Sequence, residues 1–322
     1  MLTRRTALTA LAGLIAARPA WAQGFPSRNI SIVVPYPAGG PVDTVARLIA
    51  RLAAADLKQS ILVDNRGGGA GVIGTVAVAR AEPDGHTLVL GTNQTHATNQ
   101  SLLKNCPYDA VKDFTPVAGI ADIPHVLVAR KTLRMPTVAD LIKAAKAMPD
   151  NFYYGSTGVG SASHLAAELF KTKAGVDIRH VPFRGAAPLI TELLAGRVDI
   201  SFATLPSVIA QIEAGTLDAL AVASAKRAAR LPNVATLNEL GVAGVEADAW
   251  FALFAPAKTP PAAVERLYQA VSAALSQDNA TTALAAQGMT LALRPPAAVA
   301  AWLPGEVSKW AGVIKAAGVV VD

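Results

Sequence analysis

The feature that most constrains the fold of this chain is a repeated succession of strand, small-residue loop and amphipathic helix. The first copy, ISIVVPYPAGG, begins at Ile30 and is followed by a segment at 43–57 whose apolar residues recur at helical spacing. ILVD at 61–64 and HTLVLGTNQTHATN at 86–99 give two further strands, the second ending in a polar loop. Because strands that alternate with helices pair in parallel, the pattern predicts an α/β fold with parallel strands.

A second series of strands begins after Ile123 and ends before Trp250. Its strand-like segments are HVLVAR, FYYGS, HVPFRG, VDISFA and LDALAVAS. After the apolar strand AWFALFAPA, three helical segments at 261–277, 279–287 and 297–317 close the chain. These last helices need a sheet to cover, and the first series has few helices of its own.

We therefore expect two lobes, one of them inserted into the other. Residues 23–123 and 250–322 would form domain 1, and residues 124–249 would form domain 2. Two lobes joined by two crossover strands would hinge about a cleft.

Residues 1–22 are typical of a cleaved secretory signal. They have a basic start at Arg4 and Arg5, a short apolar middle, and the small-x-small end AWA just before Gln23. Thr6 follows the arginine pair and no phenylalanine comes after it, which favours Sec export over twin-arginine export. The expected location is the periplasm.

The charge balance excludes nucleic-acid binding. The chain holds 29 Lys+Arg and 23 Asp+Glu, but the leader contains three of the basic residues and no acidic one, which leaves 26 against 23. These basic residues are scattered, without a run and without interleaved aromatic residues. Cys106 is the only cysteine, so no internal disulfide is expected.

Neither a cofactor nor a metal ion is expected. The segment from Gly69 to Gly74 fits G-x-G-x-x-G, but the acidic residue that a dinucleotide site needs about 20 residues later is missing. We interpret these glycines as a tight turn with close helix packing. No H-x-x-x-H, H-x-H or C-x-x-C pair occurs.

Ser161, His164 and Glu168 raise the alternative of a secreted serine esterase or amidase. With Ser161 as the N-cap of a helix, counting 100° per residue places all three on the side away from the core. Side chains three or four residues apart on a helix run alongside each other and make a poor catalytic triad. The chain also lacks the G-x-S-x-G elbow of α/β-hydrolases.

The loop around Ser161 fits an anion site better, because hydroxyl groups and accessible backbone N–H groups precede a helix start. Three other loops, PYPAGGPVD, GTNQTHATN and VPFRGAAP, also follow strands. Ligands of open α/β sheets bind at such carboxyl ends of strands. Only Arg184 in these four loops is a Lys or Arg, which predicts a small anion held mainly by neutral donors.

In order along the chain, six motifs resemble one family, the periplasmic solute receptors of tripartite tricarboxylate transporters, known as Bug receptors. They are VPYPAGGPVDTVAR, THATNQSLL, YDAVKDFTPVA, YGSTGVGSASHLAAELF, HVPFRGAAPLITELLAGRVDISFA and AWFALFAPAKTP. The resemblance implies a type II periplasmic-binding-protein fold with a Venus-flytrap cleft. It also implies a non-catalytic receptor whose ligand is a di- or tricarboxylate, an acidic amino acid or an aromatic acid.

By the same resemblance, loops of both domains would contact the ligand. The residues so implied in domain 1 are Tyr36, Ala38, Gly39, Gly40, Asp43, Asn93, Thr95 and His96. Those in domain 2 are Ser156, Thr157, Ser161, His164, Arg184, Gly185 and Asp199. Asp199 has the alternative role of bonding neighbouring backbone, and His164 that of bracing its loop. The implied protein is a monomer whose partner is the transporter's membrane components or, alternatively, a sensor kinase.

Overall fold

The computed structural model describes residues 24–148 and 151–321, which form two mixed α/β lobes. The signal expected at residues 1–22 lies outside the described residues. The strands are β1 (Ile30–Val34), β2 (Ile61–Asn65), β3 (Thr87–Thr92), β4 (Phe114–Ile123), β5 (His125–Arg130), β6 (Tyr153–Ser156), β7 (Arg179–Pro182), β8 (Ile200–Thr204), β9 (Leu217–Val222), β10 (Ala249–Pro256) and β11 (Thr290–Arg294). The α-helices are α1 (Pro41–Leu57), α2 (Val72–Ala79), α3 (Asn99–Leu102), α4 (Val138–Ala147), α5 (Ala162–Ala174), α6 (Ala186–Leu194), α7 (Leu205–Glu213), α8 (Pro261–Leu275), α9 (Asp278–Ala286) and α10 (Pro296–Ala317).

The two sheets have the strand orders β11-β4-β10-β3-β1-β2 and β7-β6-β8-β5-β9. β1 pairs in parallel with β2 and β3, and β6 pairs in parallel with β7 and β8. β10, β11 and β5 pair antiparallel with their neighbours, so the expectation of parallel strands is wrong for these three. β5 and β10 run the opposite way because each begins beside the ends of the parallel strands of its sheet.

The connection between the lobes is short on one side. Only Pro124 separates β4 of the first sheet from β5 of the second. Ile123, at the end of β4, pairs with Ala249, at the start of β10. The two crossings therefore lie side by side. The domain limits predicted from the sequence stay a prediction.

The helical caps and limits follow local sequence closely. Thr137 caps α4 and accepts a hydrogen bond from the Asp140 N–H at 3.1 Å, as its capping-box pattern predicts. α8, α9 and α10 lie within two residues of the three predicted closing segments. α8 packs on α1, while α10 packs on β4 and reaches α5 of the second lobe. None of the helices in the described ranges has the length and apolar character that crossing a membrane requires.

Candidate ligand-binding cleft

A cleft of about 500 Å³ is lined by residues of both lobes. The first lobe contributes Tyr36, Pro41, Val42, Thr92, Asn93 and Gln94, and the second contributes Thr157, Ser161, Ala162, Ala186, Thr204, Pro206 and Ser207. Ile123, Ala249, Phe251 and Met289 line it at the crossing between the lobes. None of these seventeen described residues carries a formal charge. Any attraction for an anion therefore comes from neutral groups in the lining.

Four helices begin at this cleft. The lining includes first-turn residues of α1, α5, α6 and α7. The first N–H groups of a helix have no hydrogen-bond partner within the helix, and they carry part of the positive end of the helix dipole. Four such helix starts favour a bound anion without any charged lining side chain.

Asp43 holds the loop that precedes α1. Its carboxylate is 3% exposed and accepts hydrogen bonds from the Gly39 N–H at 2.9 Å, Arg47 Nε at 2.9 Å and Asn65 Nδ2 at 3.0 Å. The hydrogen bond from Arg47, helped by Gly39 and Asn65, lowers the pKa of Asp43 to about 2. Asn65 Nδ2 also donates to the carbonyl of Tyr36 at 3.3 Å, so the network fixes both ends of the loop.

The predicted residues of this loop differ in position. The Tyr36 side chain reaches the cleft, and its hydroxyl bonds Thr92 Oγ1 at 2.8 Å and donates to Gln94 Oε1 at 3.1 Å. Ala38 and Gly39 are exposed, and Gly40 directly precedes α1. These three and Asp43 are not among the lining residues.

The segment after β3 was expected to be a loop, but it forms a π-helical turn over Gln94–Thr98. Thr95 Oγ1 accepts the Thr92 N–H at 3.0 Å, and the His96 ring stacks on Phe254 at a centroid distance of 4.0 Å. Thr95 and His96 are both fully buried and face the core.

Asn93 faces the cleft at the start of this turn. It is 5% exposed, and its side chain makes no hydrogen bond within the described part of the chain. The amide atoms keep access to solvent through the cleft, so they can donate to a bound molecule or accept from it. Asn93 is therefore placed to bond a ligand.

Ser161 caps α5 as predicted, accepting the His164 N–H at 3.3 Å. Its Oγ lies 3.0 Å from Ser163 Oγ, which also accepts the Thr157 N–H at 2.9 Å. Ser156 is fully buried, and its Oγ lies 2.6 Å from His180 Nε2. Thr157 and Ser161 line the cleft, while Ser156 supports the loop from beneath.

Helix counting was wrong about the environment of His164, which is buried. Its ring stacks on His180 at a centroid distance of 3.9 Å, and its Nδ1 accepts the Gly160 N–H at 2.9 Å. Burial lowers the pKa of His164 to about 4. His164 Nδ1 is therefore already bonded to the Gly160 N–H, and Ser161 Oγ bonds His164 only through its backbone N–H. The two side chains thus lack the hydrogen bond that joins a catalytic nucleophile to its base.

The remaining predicted residues lie at the rim or away from the cleft. Arg184 is exposed, and Gly185 precedes α6 with φ at +105°. Asp199 accepts the Tyr153 N–H at 2.8 Å and Arg130 Nε at 2.8 Å. Asp199 therefore bonds neighbouring backbone, the alternative that the sequence had left open.

Sequence reasoning missed the contribution of β8 and of the crossing. Thr204 ends β8, and Pro206 and Ser207 follow it in the same strand-to-helix pattern as the four selected loops, so a signal was present. Phe251 and Met289 had no such signal, because only the pairing of β10 and the position of β11 bring them to the cleft.

Acidification is expected to destabilise the protein between about pH 6.5 and pH 4. Burial lowers the pKa of His96 to about 3 and those of His125 and His164 to about 4. The unfolded chain then binds protons that the folded chain does not, so stability falls as pH falls through this window. Urea unfolding at pH 6.5 and pH 4.5 should show a loss of about 2–4 kcal/mol.

The contribution of Asp248 to folding stability has the opposite pH dependence, so an Asp248 variant serves as the control. Burial raises its pKa to about 7, so its contribution to stability falls as pH rises from about 4 to 7. The Asp248→Asn variant should therefore show a steeper loss on acidification than the wild type. A wild-type stability that is flat or rises on acidification would contradict the assignment of neutral buried histidines.

Comparison with known families gives a match over most of the chain. The family model described as tripartite tricarboxylate transporter family receptor matches residues 45–319. Protein BugT of Bordetella pertussis is 36% identical, over 96% of this chain and 94% of BugT.

Solved structures match over a similar length. An R. palustris protein solved with adipate is 38% identical with a TM-score of 0.78, covering 92% of this chain and all of that one. MatC from Rhodopseudomonas palustris, solved with bound malate, is 35% identical with a TM-score of 0.74, covering 90% of this chain and all of that one. These matches confirm the predicted type II periplasmic-binding-protein fold with two α/β lobes.

Proposed function

This chain belongs to the tripartite tricarboxylate transporter receptor family, and we propose that it captures a small carboxylate in the cleft between its lobes. It is a solute-binding receptor and not an enzyme. In the function we propose, the protein works in the periplasm as a monomer and delivers its ligand to the membrane components of a tripartite tricarboxylate transporter.

The observation that carries the proposal is the convergence of four helix starts and the unpartnered Asn93 on one cleft. Backbone N–H groups at helix starts suit carboxylate oxygens, and Asn93 supplies a further donor. Tyr36, Thr157 and Ser161 complete the set of predicted residues that line the cleft. In this proposal Asp43, Ser156 and His164 position the loops and do not contact the ligand.

In the proposed mechanism, Arg184 supplies a cation that meets the bound carboxylate. It is exposed at the rim, one residue before the N-cap of α6, and it makes no hydrogen bond or ion pair within the described residues. Closure of the lobes needs a ligand that binds the closed form more tightly than the open form. A carboxylate held at both lobes and met by Arg184 provides that difference.

Two relatives support a carboxylate ligand, since one was solved with adipate and the other with malate. Thermal unfolding against a panel of small carboxylates tests the proposal on protein freed of bound ligand by unfolding and refolding. A carboxylate at 100 times its dissociation constant should raise the free energy of unfolding by about 2.7 kcal/mol.

Replacement of Asn93 by alanine is expected to weaken binding of that carboxylate about 10- to 100-fold, because a charge-assisted hydrogen bond is lost. Asn105→Ala is the matched control, since Asn105 is exposed and does not line the cleft. Titration calorimetry measures both affinities. Equal affinities of the two variants would remove Asn93 from the site, and the absence of any carboxylate ligand would refute the receptor proposal.

A further inference from the structure

The crossing side of the cleft is an apolar wall, formed by Ile123, Ala249, Phe251 and Met289. All four are buried, with exposed fractions of 8% or less, and all four line the cleft. Ile123 and Ala249 face each other in the pairing of β4 with β10. Met289 precedes Thr290, which pairs with the neighbour of Ile123 on β4. The wall is therefore one continuous surface built on three adjacent strands.

Two hydroxyl groups of the cleft lining already donate their protons within the protein. Thr204 Oγ1 donates to Ser207 Oγ at 3.2 Å, and Ser207 Oγ donates to the carbonyl of Thr204 at 2.7 Å. Pro206 lies between them in the chain and has no N–H. This end of α7 thus offers few donors to an anionic group placed against the wall.

The carboxylates of Asp122 and Asp248, beside the wall, are already bonded to other groups of the protein. Asp122 precedes Ile123 in β4 and receives two hydrogen bonds from Arg294, at 3.0 Å and 2.6 Å. Asp248 precedes Ala249 and is bonded by the Ser224 hydroxyl. Arg294 is therefore paired with a protein carboxylate. None of the described residues that line the cleft is charged, so a second carboxylate of a ligand would find no counter-charge in the lining.

The starts of α1, α5 and α6 follow β1, β6 and β7, and Asn93 follows Thr92, which pairs with Phe251 at the edge of the wall. An anionic head group would be bonded there, and the rest of the molecule would lie along the wall. Resting on the carboxylate-receptor function proposed above, we propose that the preferred ligand carries one carboxylate on an apolar body, such as a short aliphatic or an aromatic ring. A second carboxylate at the far end of the ligand would lose its water against the wall without gaining donors.

Matched pairs of acids test this inference by titration calorimetry. Hexanoate is paired with adipate, and benzoate with terephthalate, so that each pair differs by one carboxylate. The monoacid of at least one pair should bind at least 30-fold more tightly than its diacid. If neither pair shows this advantage although at least one of the four acids binds, the inference is overturned and the receptor function stays intact. If none of these four acids and no other small carboxylate binds, both the receptor function and the monocarboxylate preference are refuted.

A variant of the wall tests whether its apolar character selects the ligand. Met289→Gln keeps the length of the side chain and introduces an amide. The variant should bind the preferred monoacid about 10-fold more weakly, and the ratio of its monoacid affinity to its diacid affinity should fall. Met148→Gln is the matched control, because Met148 is 46% exposed and does not line the cleft. Thermal unfolding without ligand verifies that both variants fold. If a folded Met289→Gln protein keeps the wild-type ratio of affinities, the wall does not select the ligand.

Discussion

Replacement of Asp43 by alanine is expected to lower the free energy of unfolding by about 3 kcal/mol and carboxylate affinity at least 100-fold. The buried carboxylate accepts hydrogen bonds from Gly39, Arg47 and Asn65, so its removal takes the shared acceptor from three donors around the loop. The loop before α1 then loses its tie to β2, and the first helix start moves relative to the other three. The loss of affinity is larger than the loss from any single ligand contact, because every donor of this loop shifts together.

Asp56→Ala on the same helix is the matched control. Asp56 pairs with Arg266 at 2.5 Å on the surface, where an ion pair contributes about 0–1 kcal/mol. Urea unfolding and titration calorimetry of both variants make the comparison. An Asp43→Ala protein that folds with wild-type affinity would show that the loop keeps its shape without the carboxylate.

Replacement of Glu306 by alanine is expected to cost about 3–5 kcal/mol of folding stability. Glu306 is a buried acid on α10, and its Oε2 accepts the indole N–H of Trp250 at 3.2 Å and of Trp310 at 3.1 Å. Its other oxygen is bonded by Lys309. The variant leaves two buried indole donors without an acceptor and creates a cavity between α10 and β10.

Glu306→Gln should recover part of this stability, since an amide oxygen still accepts from the indoles. Glu265→Ala provides the surface control, because Glu265 is exposed on α8 and bonded only by Gln269 at 2.8 Å. Thermal and urea unfolding give the three values. A loss below about 1 kcal/mol for Glu306→Ala would mean that water or a neighbouring acceptor replaces the carboxylate.

Local sequence was sufficient where the structure depends on neighbours along the chain. Helix limits, the caps at Thr137 and Ser161, and the strand ends at the cleft follow from periodicity and from contacts three or four residues apart. The glycine turn before α2 also has the predicted packing role, since a Cβ at Gly71 would lie 2.6 Å from Thr95 Cγ2 and one at Gly74 would lie 2.8 Å from the carbonyl of Arg66.

Strands β4 and β11 were missed because their local pattern is weak. Pro116 and Gly119 interrupt the strand pattern of β4, and its pairing with β10 contains two register shifts. β11 is short and lies between two helices. Both become strands through pairing with segments distant in sequence, which no local pattern reports.

Residue types and their spacing within about one helical turn were sufficient to predict the α/β lobes and the loops at strand ends. Which residues meet at the cleft depends on contacts between segments that are distant in sequence. His164 on α5 is covered by His180 of β7, which stacks on it, and the apolar wall exists because β4, β10 and β11 pair beside each other. Burial depends on what packs against a residue from elsewhere in the chain, and local periodicity carries no information about that.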